Sequence, residues 1–396
     1  MERKSHHVEH SEIQDNVDET LRDSIKLYPK IILYCIGLSS SFLLSGYDTV
    51  IVGTITAVPR FQADFGECYR ERYIIPSVWM SLWSALGFIG SIIGAAVAGP
   101  WQDRSGRRWP LAWGSAVSAV AIAILYVSNL PVDINTRRGL FLFGKIVQGF
   151  AIGVVTAATQ TYISENVPTS LRGSMMALFP TFTMLGQLVG AIEILVSSGD
   201  PSNKSYLVSF ASQWPFSAVP FVMALIVPES PAYLVHRDRS TAALHAQRRL
   251  HISKIDIEDL VEQLQQSIGL EREWAQEVTY RDCFRGANAR RTLIVIFSMV
   301  IPAFFGLPLL SNASYYLQVV GMSAQYSLVF LVLGIGLGLV SNGIGVWTAS
   351  RIGRRPLTLI SLIITTVLWL SMGIAGCWEG VVTIWSHPPL FGPYIG

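Results

Sequence analysis

The chain has 396 residues, 51% of them hydrophobic and only 14% charged, with a formal net charge of +2. Soluble domains carry about 25% charged residues, so the shortfall excludes an ordinary water-solvated globule, and the near-neutral balance excludes the basic field of a nucleic-acid binder. The four cysteines, Cys35, Cys68, Cys283 and Cys377, form no pair at metal or redox spacing, and neither a disulfide framework nor a zinc site is expected.

Residues 1–30 are polar and read as a cytosolic tail without a cleavable signal. Its His6, His7 and His10 belong to that solvated tail rather than to a metal site. A bilayer core about 30 Å thick needs about 20 apolar residues per helix. Nine segments meet the test, over 31–57, 75–100, 109–128, 139–163, 173–197, 206–227, 292–317, 326–347 and 356–377. With the N-terminus inside, most of the 29 Lys and Arg residues fall on the cytosolic side, as the positive-inside rule requires. The loop Asn203-Lys204-Ser205 then lies outside, where it fits a glycan acceptor.

Loop lengths divide the chain into a tail (1–30), a six-helix half (31–227), a charged cytosolic linker (228–291), a second half of three helices (292–377) and a tail over 378–396 that is extracytoplasmic or non-native-looking. Within the linker, Leu260, Leu264 and Ile268 recur at helical spacing and predict a small cytosolic bundle, with Ser240 as a helix cap. The run Asp103-Arg104-Ser105-Gly106-Arg107-Arg108 recurs as Ser350-Arg351-Ile352-Gly353-Arg354-Arg355, each in the second loop of its half. Repeated halves are a transporter architecture. The expected fold is an all-α polytopic membrane bundle whose second half is truncated to about three helices.

Several signatures stand in order: Gly46-Tyr47-Asp48-Thr49 in the first span, the 103–108 run, Tyr162-Ile163-Ser164-Glu165-Asn166-Val167-Pro168 before Leu171-Arg172-Gly173, and Pro228-Glu229-Ser230-Pro231-Ala232-Tyr233-Leu234 after the sixth span. With these the chain resembles the sugar porter branch of the major facilitator superfamily. The stretches Gln213-Trp214-Pro215-Phe216 and Tyr280-Arg281-Asp282-Cys283-Phe284-Arg285-Gly286 are similar to fungal α-glucoside, or maltose-type, permeases. The resemblance implies proton-coupled sugar import by alternating access between two halves.

The acids and arginines at the cytosolic ends of spans form a candidate gating network: Asp103, Arg104, Arg107, Arg108, Glu165, Arg172 and Glu229, with Arg351, Arg354 and Arg355 in the second half. Carboxylate and guanidinium groups make bidentate bonds that latch one global state and break in another. Gly106 permits the turn between them and Gly173 a close helix start. Asp48 lies inside an apolar span, where an ionisable group is expensive and functional. The resemblance pairs it with a base in the fourth span, and Lys145 holds that position, so these two are the expected proton-coupling pair.

Sugar contacts are expected at Gln187 in the fifth span and at Asn312, Tyr315 and Tyr316 in a seventh span broken by Pro302, Gly306 and Pro308, with Trp347 and Trp369 as further candidates. The chain departs from the family in having Pro180 where many sugar porters place a glutamine, and Ile301-Pro302-Ala303-Phe304 where they carry glutamines. Glycines at 90 and 94, and at 149 and 153, have the spacing that lets membrane helices approach closely. No nucleotide motif, nucleophile-base set or metal cluster appears, so the chain is expected not to be an enzyme and to need no bound cofactor, the proton gradient being the driving force. The expected partners are a sugar, protons and the lipid bilayer, without an obligate protein or a nucleic acid, at the plasma membrane. The alternatives are a transport-inactive sugar sensor and a non-functional truncated paralogue.

Overall fold

Proline placement decides where helices start and where they break. The computed structural model describes residues 27–69, 72–198, 205–251, 257–275, 280–304, 314, 317–318, 322–352 and 354–376. Helices α1 (Pro29–Ile55) and α2 (Pro59–Phe65) open on proline, whose missing N–H is not needed at a helix start. A hairpin of β1 (Glu67–Tyr69) and β2 (Arg72–Ile74) follows, with Cys68 opposite Tyr73. This antiparallel pair is a small addition to the all-helical reading.

Next come α3 (Ser77–Ser105), α4 (Arg108–Val127) and α5 (Ile134–Asn166). Asp133 caps α5, accepting the Thr136 N–H at 2.9 Å, and that bond holds its carboxyl below the usual carboxylate range. Two expected spans are interrupted. The stretch read as 173–197 becomes α6 (Thr169–Met176) and α7 (Leu178–Ser198), and that read as 206–227 becomes α8 (Ser205–Ala211) and α9 (Gln213–Ile226). Pro180 cannot donate to the Met176 carbonyl and its ring crowds that group; Pro215 stands in the same relation to Ala211.

Then follow α10 (Pro231–His236), α11 (Ser240–Leu250) and α12 (Ile257–Ala275), a 3-10 turn at Tyr280–Phe284, α13 (Gly286–Phe304), α14 (Ala324–Ile352) and α15 (Arg354–Gly376). Among the described residues seven helical stretches are long and apolar enough to cross a membrane: Pro29–Ile55, Ser77–Ser105, Arg108–Val127, Ile134–Asn166, Leu171–Ser197, Tyr206–Ile226 and Gln325–Gly345. A shorter apolar helix runs over Arg355–Ser371. Helix α13 covers the first part of the segment read as a seventh span, and most of the rest of that segment lies outside the described residues.

The chain divides into two compact units that share helices: Met1–Ser45, Ser81–Gly186 and Phe210–Glu277 in the first, and Gly46–Met80, Gln187–Ser209 and Val278–Gly396 in the second. In the first unit the core runs from Ile31, Leu38 and Phe42 of α1 through Leu111 of α4 and Val155 and Ile163 of α5 to Phe179 and Ala224. The α3–α5 contact is built on glycine. A Cβ at Gly90 would meet the Ile146 carbonyl, at Gly94 that of Phe150, at Gly149 that of Gly87 and at Gly153 that of Ser91. Backbones this close gain dispersion contact that needs no hydrophobic effect, which is absent between helices in lipid. Buried hydroxyls add hydrogen bonds across helices: Ser41 with Thr159 at 2.8 Å, and Ser118 with Ser217 at 2.9 Å and Gln148 at 3.1 Å.

Helices α10 to α12 form a satellite core of Leu234, Val235, Ala243, Ala246, Val261 and Ile268, with Leu264 against it. The buried stripe is therefore Val261, Leu264 and Ile268, one position on from the expected Leu260. Ser240 starts α11 without capping it; its Oγ accepts from Gln265 Nε2 at 2.8 Å and ties α11 to α12.

His251 closes α11. It is buried, its backbone N–H donates to the Gln247 carbonyl at 2.9 Å, the Tyr28 ring meets its imidazole edge-on at 5.6 Å, and Lys30 Nζ donates to its carbonyl at 3.3 Å. Burial pushes the imidazole pKa below its ordinary 6.5. The unfolded segment takes up a proton near 6.5 while the docked histidine stays neutral. The stability it confers is complete above that pH and is lost as pH falls through it toward the folded value. The amide-exchange protection factor over residues 240–251, the rate relative to that of the unstructured chain at the same pH, is expected to fall as pH drops across that window, and in a His251→Phe variant to lose that dependence.

Candidate functional site

At the turn between α3 and α4, Gly106 has φ +91°, a left-handed conformation open to glycine at no steric cost. A Cβ there would also run into the Glu229 carboxylate. That carboxylate accepts the backbone N–H of Arg107 at 2.8 Å, of Ser230 at 3.0 Å and, at the weak limit of 3.4 Å, of Arg108. It places an anion on the N-terminus of α4, whose own N-cap residue offers no side-chain cap.

The Arg107 guanidinium then meets Glu165 at the end of α5. Nη2 donates to Oε1 at 2.6 Å, and Nε lies 3.0 Å from both carboxylate oxygens. Nη1 donates to the Gln102 carbonyl at 3.2 Å and Ser230 Oγ to Glu165 Oε2 at 2.6 Å. The two side chains are 10% and 19% exposed, so the pair is largely desolvated and its fork geometry is fully used. Tyr233 lies beneath, its ring 5.3 Å from the Arg107 Cζ and 5.8 Å from that of Arg237, with its hydroxyl donating to the Arg104 carbonyl at 2.9 Å. Sequence reasoning did not assign Ser230, Tyr233 or Arg237 to this group, although the first two stand in the motif that supplied Glu229.

Other members of the expected network stand apart from this center. Asp103 reaches Arg107 only at 3.8 Å with a side chain 76% exposed. Arg104 contributes its carbonyl, which also accepts from Arg237 Nη2 at 3.0 Å. Arg108 turns away from the acids and donates to the carbonyls of Ala224 at 2.6 Å and Leu225 at 2.8 Å, serving the open C-terminus of α9. Arg172 is exposed and makes no side-chain hydrogen bond or ion pair among the described residues. Leu171 and Met175 take the buried face of α6, which rotates Arg172 outward. Nothing lies within 4 Å of a Cβ at Gly173, so no close helix start occurs there. Of the second-half arginines, Arg355 is exposed near the start of α15, while the side chains of Arg351 and Arg354 lie outside the described residues.

Asp48 is buried in the second unit, in the last two turns of α1, and Lys145 is buried in the first unit, midway along α5. Both lie within stretches apolar enough to span a membrane. In the second unit the Tyr47 ring packs over Gly190, and one turn further along α7 lies Glu193. Both Glu193 carboxyl oxygens are buried, with the hydroxyls of Tyr47, Ser197 and Ser209 around them. Sequence reasoning passed over this residue. The available signal was a lone acid within Ala191-Ile192-Glu193-Ile194-Leu195. Gln187 is half-buried on the same helix. Asn312, Tyr315 and Tyr316 lie outside the described residues, Trp347 is exposed and Trp369 half-buried.

The family profile described as "Sugar (and other) transporter" matches residues 34–386. An MFS transporter of Aspergillus fumigatus, fmqE, is 30% identical over 341 residues, covering 84% of this chain and 61% of its own length. A maltose permease of Saccharomyces cerevisiae is 26% identical over 391 residues, covering 92% and 62%. The chain thus spans about three fifths of the length of these relatives. Among solved structures, the proton:xylose symporter XylE superimposes with a TM-score of 0.73 at 21% identity, over 90% of this chain and 78% of that one. The helical order, the Gly106 turn with its arginine–glutamate pair and the profile match agree: the chain belongs to the sugar (and other) transporter family, the sugar porter branch of the major facilitator superfamily, and is similar to the fungal maltose-type permeases.

Proposed function

We propose that the chain is a secondary transporter that imports a sugar, an α-glucoside or a hexose, together with protons by alternating access. The observation that carries the reading is a carboxyl and an ammonium, Asp48 and Lys145, each buried in a helix apolar enough to span a bilayer, in a chain of this family. Relatives described as an alpha-glucosides permease and a proton:xylose symporter support the substrate class and the coupling ion. In this reading Asp48 takes up the proton on one face and releases it on the other, and Lys145 is the second proposed coupling residue. Gln187, Asn312, Tyr315 and Tyr316 are the proposed sugar-binding residues. The Arg107–Glu165 pair latches one state, and the energy of its bonds sets part of the barrier to the other. The N-terminus is cytosolic, the membrane is the plasma membrane, and neither a bound cofactor nor a second protein is needed.

The test uses the chain reconstituted in liposomes with an imposed proton gradient and radiolabelled maltose or glucose. Wild type is expected to accumulate sugar uphill. Asp48→Asn is expected to fall to simple equilibration while keeping sugar exchange. Undiminished uphill accumulation by the variant removes Asp48 from coupling, and no uptake of either sugar by wild type removes the transport reading itself.

A further inference from the structure

Three cations surround a cavity of about 360 Å³ in the first unit: Lys30 in the first turn of α1, and Arg248 and Arg249 in the last turn of α11, with Leu33 and Tyr34 completing the wall. Their charges are held in place but barely neutralised. Lys30 Nζ donates to the His251 carbonyl at 3.3 Å and Arg249 Nη2 to the Ile226 carbonyl at 2.7 Å, so main-chain dipoles rather than acids fix these two. Arg248 reaches Glu258 only at 3.8 Å, with both side chains more than half exposed. No carboxylate among the described residues pairs with Lys30 or Arg249. Convergent cations fixed by neutral acceptors leave a positive potential that selects an anion with several acceptor oxygens.

The wall identifies which anion. Lys30 begins a helix apolar enough to cross a bilayer, and Leu33, one turn on, is 67% exposed. Tyr34 is half-buried beside it, and a phenol of this kind settles at the boundary between headgroups and hydrocarbon. A free phosphate ion would use the cations and leave the apolar wall idle. A phospholipid uses both. We propose that this cavity holds the phosphate headgroup of an anionic phospholipid, its acyl chains lying along the Leu33 face of α1. The inference is independent of the sugar and of proton coupling.

The experiment is native mass spectrometry of the purified chain in detergent, titrated with phosphatidic acid or with phosphatidylcholine. Retention of phosphatidic acid over phosphatidylcholine is expected. Arg248→Gln removes one charge and is expected to weaken retention about fivefold, and Arg248→Glu about thirtyfold. Both variants keep the two main-chain contacts of Lys30 and Arg249, and unchanged thermal melting in lipid-free detergent confirms that they fold. Equal retention of the two lipids, or equal retention by wild type and both folded variants, overturns the proposal. Displacement of phosphatidic acid by an equal concentration of inorganic phosphate also overturns it, by making the site one for the free ion.

Discussion

Glu165→Ala is expected to lower the stability of the first unit by about 3–5 kcal/mol, the cost of leaving a desolvated partner without its counter-charge. The Arg107 guanidinium loses its three hydrogen bonds to Glu165, and the Ser230 hydroxyl loses its acceptor at 2.6 Å. The Gln102 carbonyl, the Tyr233 face and the exposed Asp103 carboxylate at 3.8 Å remain to it. Arg107→Ala strands Glu165 in the same way, with Ser230 as partial relief. The double variant is expected to cost less than the sum of the singles, because removing both charges leaves no buried ion behind. Thermal melting in detergent of the four proteins in the cycle measures this. Additive losses would mean that the two groups act separately, and the latch would lose its physical basis.

Gly149→Leu is expected to break the α3–α5 contact outright. Even the first carbon of a side chain would collide with the Gly87 carbonyl oxygen, which is backbone and cannot rotate away. The helices must separate, and overpacking of this kind costs about 1–3 kcal/mol or more before the lost dispersion along Gly90, Gly94 and Gly153 is counted. On the same helix Gly139 has nothing within 4 Å of a Cβ. Gly139→Ala is therefore expected to be neutral or to stabilise by about 0.5–1 kcal/mol through helix propensity. The yield of folded protein and the melting temperature separate the two. Equal tolerance at both positions would contradict the close approach.

The first-half spans were legible because an apolar run of about twenty residues matches the thickness of a bilayer, and six such runs in succession exceed what the core of a soluble domain can bury. Their interruptions were written in the chain as well, at Pro180 and Pro215, but a hydrophobicity window averages over a single ring that removes one hydrogen bond. The arginine–glutamate center was legible as a set of charges at helix ends. Which charges meet was not, because it depends on rotation about each helix axis. Arg172 and Arg107 read alike in sequence, yet Leu171 and Met175 claim the inner face of α6 and send Arg172 outward. Glu193 was missed for the opposite reason. A lone acid flanked by isoleucines sits inside a run that reads as apolar, and its significance lies in how its carboxyl oxygens are buried, which the folded chain alone reveals.

The attachment of α10 to the α3–α4 turn has a mechanical meaning. Tyr233 is fixed between two guanidinium groups and bonded to the Arg104 carbonyl, Arg237 holds the carbonyls of Asp103 and Arg104 at 3.0 Å, and Glu229 and Ser230 clasp the start of α4 and the end of α5. The hydrogen bonds among these links are direct and 2.6–3.0 Å long. Helices α10 to α12 are in consequence a handle welded to the spans of their own unit: torque applied to them, by a bound antibody fragment for instance, is delivered to the buried helices instead of being absorbed in a hinge.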